Sequence, residues 1–445
     1  MSTHNAAGFE SKDASTMSIT TPLGFKAGTK TTATSYRGPL AVLALLFFMW
    51  GFLTCLNDIL VPHLKTIFDL SYAKVMLIQF AFFGAYFLFS IPSAKVLDAI
   101  GYQKTMVVGL YTMALGAFLF IPAATVPSFP LFLAALVVLG AGITAQQVAA
   151  NPYVSVLGPA QTASSRLNLT QAFNSLGTFL APWFGKAFIL SGTVLSVTKL
   201  HQLSPNALRA YRLHEASSVK IPYLGLGFTL LLLGIVIDRL TLPPMPTAQH
   251  SLGDKSAGSV WNHRHLVLGA VGIFAYVGAE VSIGSFLVNY LSQSDIGNIS
   301  EKVAAGFVSY YWGCAMVGRF IGSAVLQRVR TGTMLGIAAL FASLLVCLSM
   351  ATHGPIAMWS IILVGLCNSI MFPSIFTLGI AELGRLTGDG SGLLVMAIVG
   401  GAIIPVFQGL IADRIGVHHA FILPAICYLY IVFYAFCGSK PAPSV

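Results

Sequence analysis

Apolar runs long enough to cross a bilayer as helices alternate with short polar connections along most of the chain. They lie near 39–63, 72–97, 104–124, 129–158, 163–192, 220–241, 264–292, 301–327, 331–351, 355–381, 389–413 and 418–438. The pattern predicts an all-α membrane protein of twelve transmembrane helices, an even number that returns both termini to one side. Two connections are longer. In 193–219, Ser204 and Pro205 precede "NALRAY", the signature of a capped short surface helix. The stretch 242–263, "LPPMPTAQHSLGDKSAGSVWNH", has the Pro, Ser and Gly content of a linker. The expected organisation is a disordered cytoplasmic tail over 1–37, a six-helix bundle over 38–241, a cytoplasmic linker over 242–263, a second six-helix bundle over 264–438, and a short tail over 439–445.

Composition removes the soluble alternative. Of 445 residues 56% are apolar and 9% charged, where a soluble domain carries about 25% charge. The net charge of +10 could signal nucleic acid, but the cations are scattered through short loops instead of forming a stripe, so no nucleic-acid partner is expected. Lys95, Lys104, Arg166, Arg239, Lys255, Arg264, Arg328, Arg330 and Arg385 fall in loops on the side of the N-terminus. That bias favours a cytoplasmic N-terminus and C-terminus. The tail has no apolar run that could be a cleaved secretory signal. Cysteines 55, 314, 347, 367, 427 and 437 lie in apolar stretches with no metal spacing and read as small core residues.

The halves share their punctuation. Gly142 with Asn151-Pro152 in span 4 is echoed by Gly365 with Phe372-Pro373 in span 10, and Pro182 with Gly185 in span 5 by Pro405 with Gly409 in span 11. Two similar bundles facing each other leave a central path, as in carriers that rock one half against the other. The glycines, such as "GGAIIP" at 400–405, permit close helix approach and gating bends.

Polar groups inside the spans supply the candidate chemistry, because a charge in hydrocarbon costs about 2.5–3.5 kcal/mol or more and marks a cavity or a partner. Asp58, in "TCLNDILVP" of span 1, is a candidate proton carrier; a hydrogen bond to a neighbouring helix is the alternative. Glu280, mid-span in "FAYVGAEVSIGSFLVNY", suits two sugar hydroxyls, a second proton site or a helix-to-helix bond equally, with Asn289 on a neighbouring turn. Arg319 reads as structural, paired to a carbonyl or carboxylate. Gln147 and Asn151, four apart in span 4, share a face, while Gln146 points away; Asn168, Gln171 and Asn174 step by three along span 5. Each of these amides taken alone reads as interhelical glue, whereas five on adjacent helices favour a cavity for a neutral polyol. Asn368 of span 10 belongs to the same candidate substrate set. Among Trp50, Tyr276, Tyr310, Tyr311 and Trp312, Trp312 is the candidate to stack on a sugar ring, against the plain alternative of helix packing. Phosphate-cradling and Ser-His-Asp motifs are absent from the sequence, no His/Cys metal cluster is evident in it, and His418-His419 reads as a solvated outer-loop pair. No enzymatic activity, cofactor or metal site is expected.

Taken together, "LNDILVPHL" (56–64), "AANPYVSVLGP" (149–159), "RLNLTQAFNSLG" (166–177), "GRFIGS" (318–323) and "FPSIFTLGI" (372–380) resemble the fucose–galactose–glucose proton symporter family of the major facilitator superfamily. The likeness covers about 38 to 438, and "YVGAEVSIGSFLVNYL" (276–291) is more similar to the glucose/galactose branch. The resemblance implies a twelve-helix carrier, monomeric in the bilayer of the bacterial inner membrane, that imports a hexose with a proton. It also implies that Asp58 matches the family's proton-coupling carboxylate. A second carboxylate of the fucose branch is replaced here by Gln147, and a sugar-contacting Tyr by Phe372, which argues against fucose. Gln171 and Asn174 match polar span 5 positions. Some relatives use sodium, so sodium stays open as coupling ion. The superfamily's loop signature survives as "AKVLDAIGYQK" (94–104), with Asp98 and Gly101 in place and Ala99 where a basic residue is usual. Outside transport, a non-transporting sugar sensor and, within it, a carrier of fucose, N-acetylglucosamine or another neutral polyol are the competing readings.

Overall fold

A computed structural model describes residues 36–68, 72–126, 128–188, 219–243 and 259–441, with a few positions between 203 and 213; the side chains of 57–76, 79, 185–188, 301, 302 and 305 are outside the description. The expectations for the 1–35 tail, for most of the 242–263 linker and for the Asp58 side chain therefore fall outside the described residues. Of the surface helix expected after Ser204, one bond is described: the Ala207 N–H donates to Ser204 Oγ at 3.3 Å, as a cap should.

Among the described residues all regular structure is helical, the form in which a membrane-embedded segment satisfies its own backbone. α1 spans Arg37–Phe68. A continuous run over Tyr72–Thr125 is broken at Gly101 (φ 81°), a conformation that suits glycine, giving α2 (72–100) and α3 (102–125). α4 is Phe129–Val156, α5 Ala163–Phe188, α6 Lys220–Arg239, α7 Arg264–Leu291, α8 Glu301–Val325 and α9 Thr331–Ala351. α10 is two pieces, Gly354–Asn368 and Met371–Gly379, and α11 is likewise divided into Thr387–Met396 and Gly400–Ile415. α12 comprises Val417–Ala420, Ile422–Phe433 and Tyr434–Gly438. α10 breaks where Pro373 has no N–H to return to Ser369.

Among the described residues nine helical stretches are long and apolar enough to cross a membrane, and one of them, Phe80–Thr125, runs through most of α2 and all of α3. The two helices outside that set are α5 and α8. They carry the polar run Arg166, Asn168, Thr170, Gln171, Asn174 and Ser175, and Glu301, Lys302 and Arg319. These least apolar helices pack against each other, which keeps their polar faces from lipid.

The packing repeats between the first six and the last six helices. α1 packs on α5 as α7 packs on α11, and α3 on α6 as α9 packs on α12. Between the halves, α5 meets α8 and α2 meets α11, contacts that exchange when every helix is shifted by six. The repeat reaches individual glycines. A Cβ at Gly177 of α5 would sit 2.2 Å from the Phe48 carbonyl oxygen of α1, and one at Gly400 of α11 would sit 2.1 Å from the Phe274 carbonyl oxygen of α7. Each glycine precedes a proline by five residues, Pro182 and Pro405.

The halves are bonded together toward the side shared by the C-terminal end of α6 and the start of α7, here the linker side. Ser164 Oγ pairs with Thr331 Oγ1 at 2.9 Å and Thr377 Oγ1 at 2.5 Å, and Ser165 donates to the Ser323 carbonyl at 2.6 Å. Asn168 Nδ2 donates to the Arg319 carbonyl at 2.6 Å. Ser391 of α11 donates to the Val148 carbonyl of α4 at 2.8 Å. Pro152, four residues on, has no N–H to give that carbonyl, so the proline frees an acceptor that the opposite half uses. At the α4–α5 turn Arg166 is buried and donates to the carbonyls of Val154, Pro159 and Ser155 and to Thr162 Oγ1. This arginine ties a turn together and stays off the central path.

Candidate functional site

Midway along the helices a cavity of about 130 Å³ is lined by Trp50, Gln147, Gln171, Tyr276, Val277, Glu280, Arg319, Phe372 and Ile398. Its wall takes residues from α1, α4 and α5 of the first half and from α7, α8, α10 and the α11 break of the second.

The polar groups divide into those that reach the cavity and those that hold the wall. Gln147 Nε2 donates to the Tyr86 hydroxyl at 2.9 Å, and its Oε1 has no protein partner among the described residues. The Gln171 side chain, buried on α5, likewise has no hydrogen-bond partner among the described residues. On the opposite wall Arg319 Nη2 lies 3.9 Å from Glu280 Oε1, and Arg319 Nη1 donates to Ser175 Oγ of α5 across the halves. The cation and carboxylate offset each other, so the described cavity lining carries donors and acceptors with no net charge. Behind Glu280, the Tyr311 hydroxyl donates to the Glu280 backbone carbonyl at 3.2 Å and accepts from Asn368 Nδ2 at 2.8 Å, while the Tyr276 hydroxyl donates to the Asn368 carbonyl at 3.2 Å. This network fixes the α7–α8–α10 wall.

Of the substrate candidates, Gln147, Gln171 and Glu280 converge on the cavity. Asn368 buttresses it from behind. Asn174 Nδ2 donates to the Phe47 carbonyl of α1 at 3.0 Å, the glue role. Asn151 is fully buried, outside the cavity lining, with both amide atoms unpartnered among the described residues. Asn289 is misplaced by the sequence reading: it is exposed on α7 and outside the lining. Nine residues at about 100° each end half a turn out of phase, on the face opposite Glu280. Trp312 also needs correction, because it packs edge-on to Tyr311 and beside Gly284; the tryptophan on the cavity is Trp50. Arg319 is paired to a carboxylate as expected, and it also faces the cavity. The sequence reading of His418 as solvated fails too: it is buried on α12, with Nε2 2.8 Å from the Met350 carbonyl.

A helical membrane protein of two similarly packed halves, with a neutral polar cavity between them, defines a carrier that works by alternating access. The comparisons specify which. Residues 40–399 match the Major Facilitator Superfamily, and the chain belongs to that family. It is 53% identical over 406 residues to a glucose/galactose transporter of Brucella abortus, covering 91% of this chain and 95% of the relative. It is 35% identical over 417 residues to the L-fucose-proton symporter of Escherichia coli, covering 92% and 94%. Its fold is similar to a crystal structure of the fucose transporter FucP in the outward conformation, with TM-score 0.84, 34% identity, and 90% and 98% of the two chains covered.

Proposed function

We propose that this carrier imports a neutral hexose, glucose or galactose, together with a proton. The observation that carries the reading is the cavity itself. Its charged pair is self-neutralising, its amides Gln147 and Gln171 present donors and acceptors to a polyhydroxyl ring, and Trp50 supplies a flat apolar face. An ionic substrate would meet no unbalanced charge among the described lining residues. The substrate class follows that of the 53% identical glucose/galactose transporter, and the proton follows the name of the fucose-proton symporter. Phe372 offers no hydroxyl on the α10 wall, in keeping with a hexose other than fucose.

In the proposed orientation the linker side faces the cytoplasm of a bacterial inner membrane, with both termini there. The hydroxyl and amide bonds that close this side support a state that loads from outside. Sugar enters the cavity, Asp58 takes up a proton, the halves rock, and both cargoes leave on the linker side. Coupling requires that the loaded and empty forms reorient and the half-loaded ones do not, so sugar and proton binding share a coupling free energy. Gln147 binds sugar where the fucose branch has its second carboxylate, leaving Asp58 as the single coupling group.

Radiolabelled glucose uptake into proteoliposomes with an imposed pH gradient tests the reading. Uphill accumulation that collapses with the gradient is expected, and Asp58→Asn should abolish accumulation while leaving exchange measurable. Accumulation driven by sodium alone would replace the coupling ion, and sugar binding without flux would favour a sensor.

A further inference from the structure

At the end of the second half opposite the linker side, three residues from separate connections come together: Asp295 after α7, His353 between α9 and α10, and His418 at the start of α12. One ligand-type atom from each lies within 4.8 Å of the others. We propose that Asp295, His353 and His418 form a binding site for a divalent transition-metal ion of the zinc class. This site is separate from the sugar cavity.

The hydrogen bonding of His418 supports the assignment. Its Nε2 is 2.8 Å from the Met350 carbonyl. A carbonyl can only accept, so Nε2 carries a proton and Nδ1 is the ring nitrogen left for a metal ion. That Nδ1 faces Asp295 Oδ2 at 4.0 Å. A cation between these two atoms would be held by both. A ring nitrogen fixed by a backbone carbonyl, leaving the other nitrogen bare, is the recurrent arrangement of metal-binding histidines. His353 Nδ1 approaches the same Asp295 oxygen at 3.2 Å.

The separations suit a small ion. Ligand atoms about 2.0–2.2 Å from a tetrahedral zinc lie roughly 3.3–3.6 Å from one another. The Asp295–His353 distance is already near that range, and the His353 side chain, 68% exposed, has its ring 5.1 Å from that of His418. His418 is the fixed member, with its side chain 8% exposed. The backbone holds the frame: the Gly354 N–H donates to the Asp295 carbonyl at 2.9 Å, and Gly354 has φ 64°, turning the chain so that His353 stands beside Asp295. Two imidazoles and one carboxylate favour zinc, copper or nickel over the oxygen-loving magnesium and calcium, and water or the exposed His419 can fill the remaining position. A bound ion would clamp the far ends of α7, α10 and α12 together.

The test uses the full-length protein in detergent, stripped of metal and titrated with Zn²⁺ against a chromophoric zinc indicator, with bound zinc counted by elemental analysis after desalting. One zinc per chain is expected, with affinity lowered at least tenfold by Asp295→Asn and by His353→Asn and unchanged by His263→Asn on the linker side. His353 is exposed, so His353→Asn should keep its gel-filtration profile and helical circular dichroism, and any loss of zinc then reports on the site. Wild-type protein that holds no zinc at micromolar concentration, or zinc held equally by wild type and His353→Asn, would overturn the proposal.

Discussion

The Glu280–Arg319 pair sets a quantitative expectation. Arg319→Gln removes the cation from a carboxylate whose Oε1 is buried without a hydrogen-bond partner among the described residues, and it also breaks the bond to Ser175 that crosses the halves. At 3.9 Å, Coulomb's law with an effective dielectric of about 20 gives an attraction of about 4 kcal/mol. The contact is longer than a hydrogen bond, and both side chains retain slight exposure, 13% and 11%. A coupling of about 2 kcal/mol is therefore the expected value, below the roughly 3–5 kcal/mol cost of orphaning a fully buried ion. The assay is a double-mutant cycle of Arg319→Gln, Glu280→Gln and the double variant, read as apparent unfolding midpoints in detergent and as sugar affinity from tryptophan fluorescence, Trp50 being on the cavity. Arg319→Gln alone should be the most damaging, and Glu280→Gln added to it should restore part of the loss. Strict additivity, within about 0.5 kcal/mol, would refute the argument that the two groups neutralise each other in the wall.

The other predictions follow from single contacts. Gly400→Ala drives a methyl against the Phe274 carbonyl oxygen and should cost about 1–3 kcal/mol or more, visible as a lowered unfolding midpoint; an unchanged midpoint would contradict the close α7–α11 approach. Gln147→Ala should raise the KM for sugar uptake about tenfold, the equivalent of one or two hydrogen bonds, and lower stability by about 1 kcal/mol through loss of the buried bond to Tyr86; an unaltered KM would remove it from the site.

How much was readable in advance depended on range. Hydropathy marks the spans because each must bury or expose to lipid a whole helix of apolar side chains, and the paired prolines of α5 and α11 fall at equivalent places in the packing. The interruptions at 369–370 in α10 and 397–399 in α11 were not marked by hydropathy, since both lie within apolar sequence. Gln147, Gln171 and Glu280 line the cavity, while Asn151, four residues from Gln147, does not. Asn174 and Asn368 bind other helices instead, because an amide takes whichever partner is nearer and only the packed neighbours decide. Asn289 failed on helix arithmetic, nine residues from Glu280 being the opposite face, whereas Trp312 failed because neither composition nor spacing reveals which azimuth of a membrane helix faces inward. The His418 environment was invisible because its partners come from distant connections.

The bond between Ser391 and the carbonyl freed by Pro152 has a consequence for how the molecule moves. It and the serine and threonine contacts around Ser164 join uncharged groups, each contributing on the order of 1 kcal/mol once water is counted as the rival. A seam of that kind separates and re-forms within thermal reach and is barely sensed by ionic strength. Charged clasps at the same place would make every reopening slow and salt-dependent, whereas here the pace of the cycle is left to the cargo.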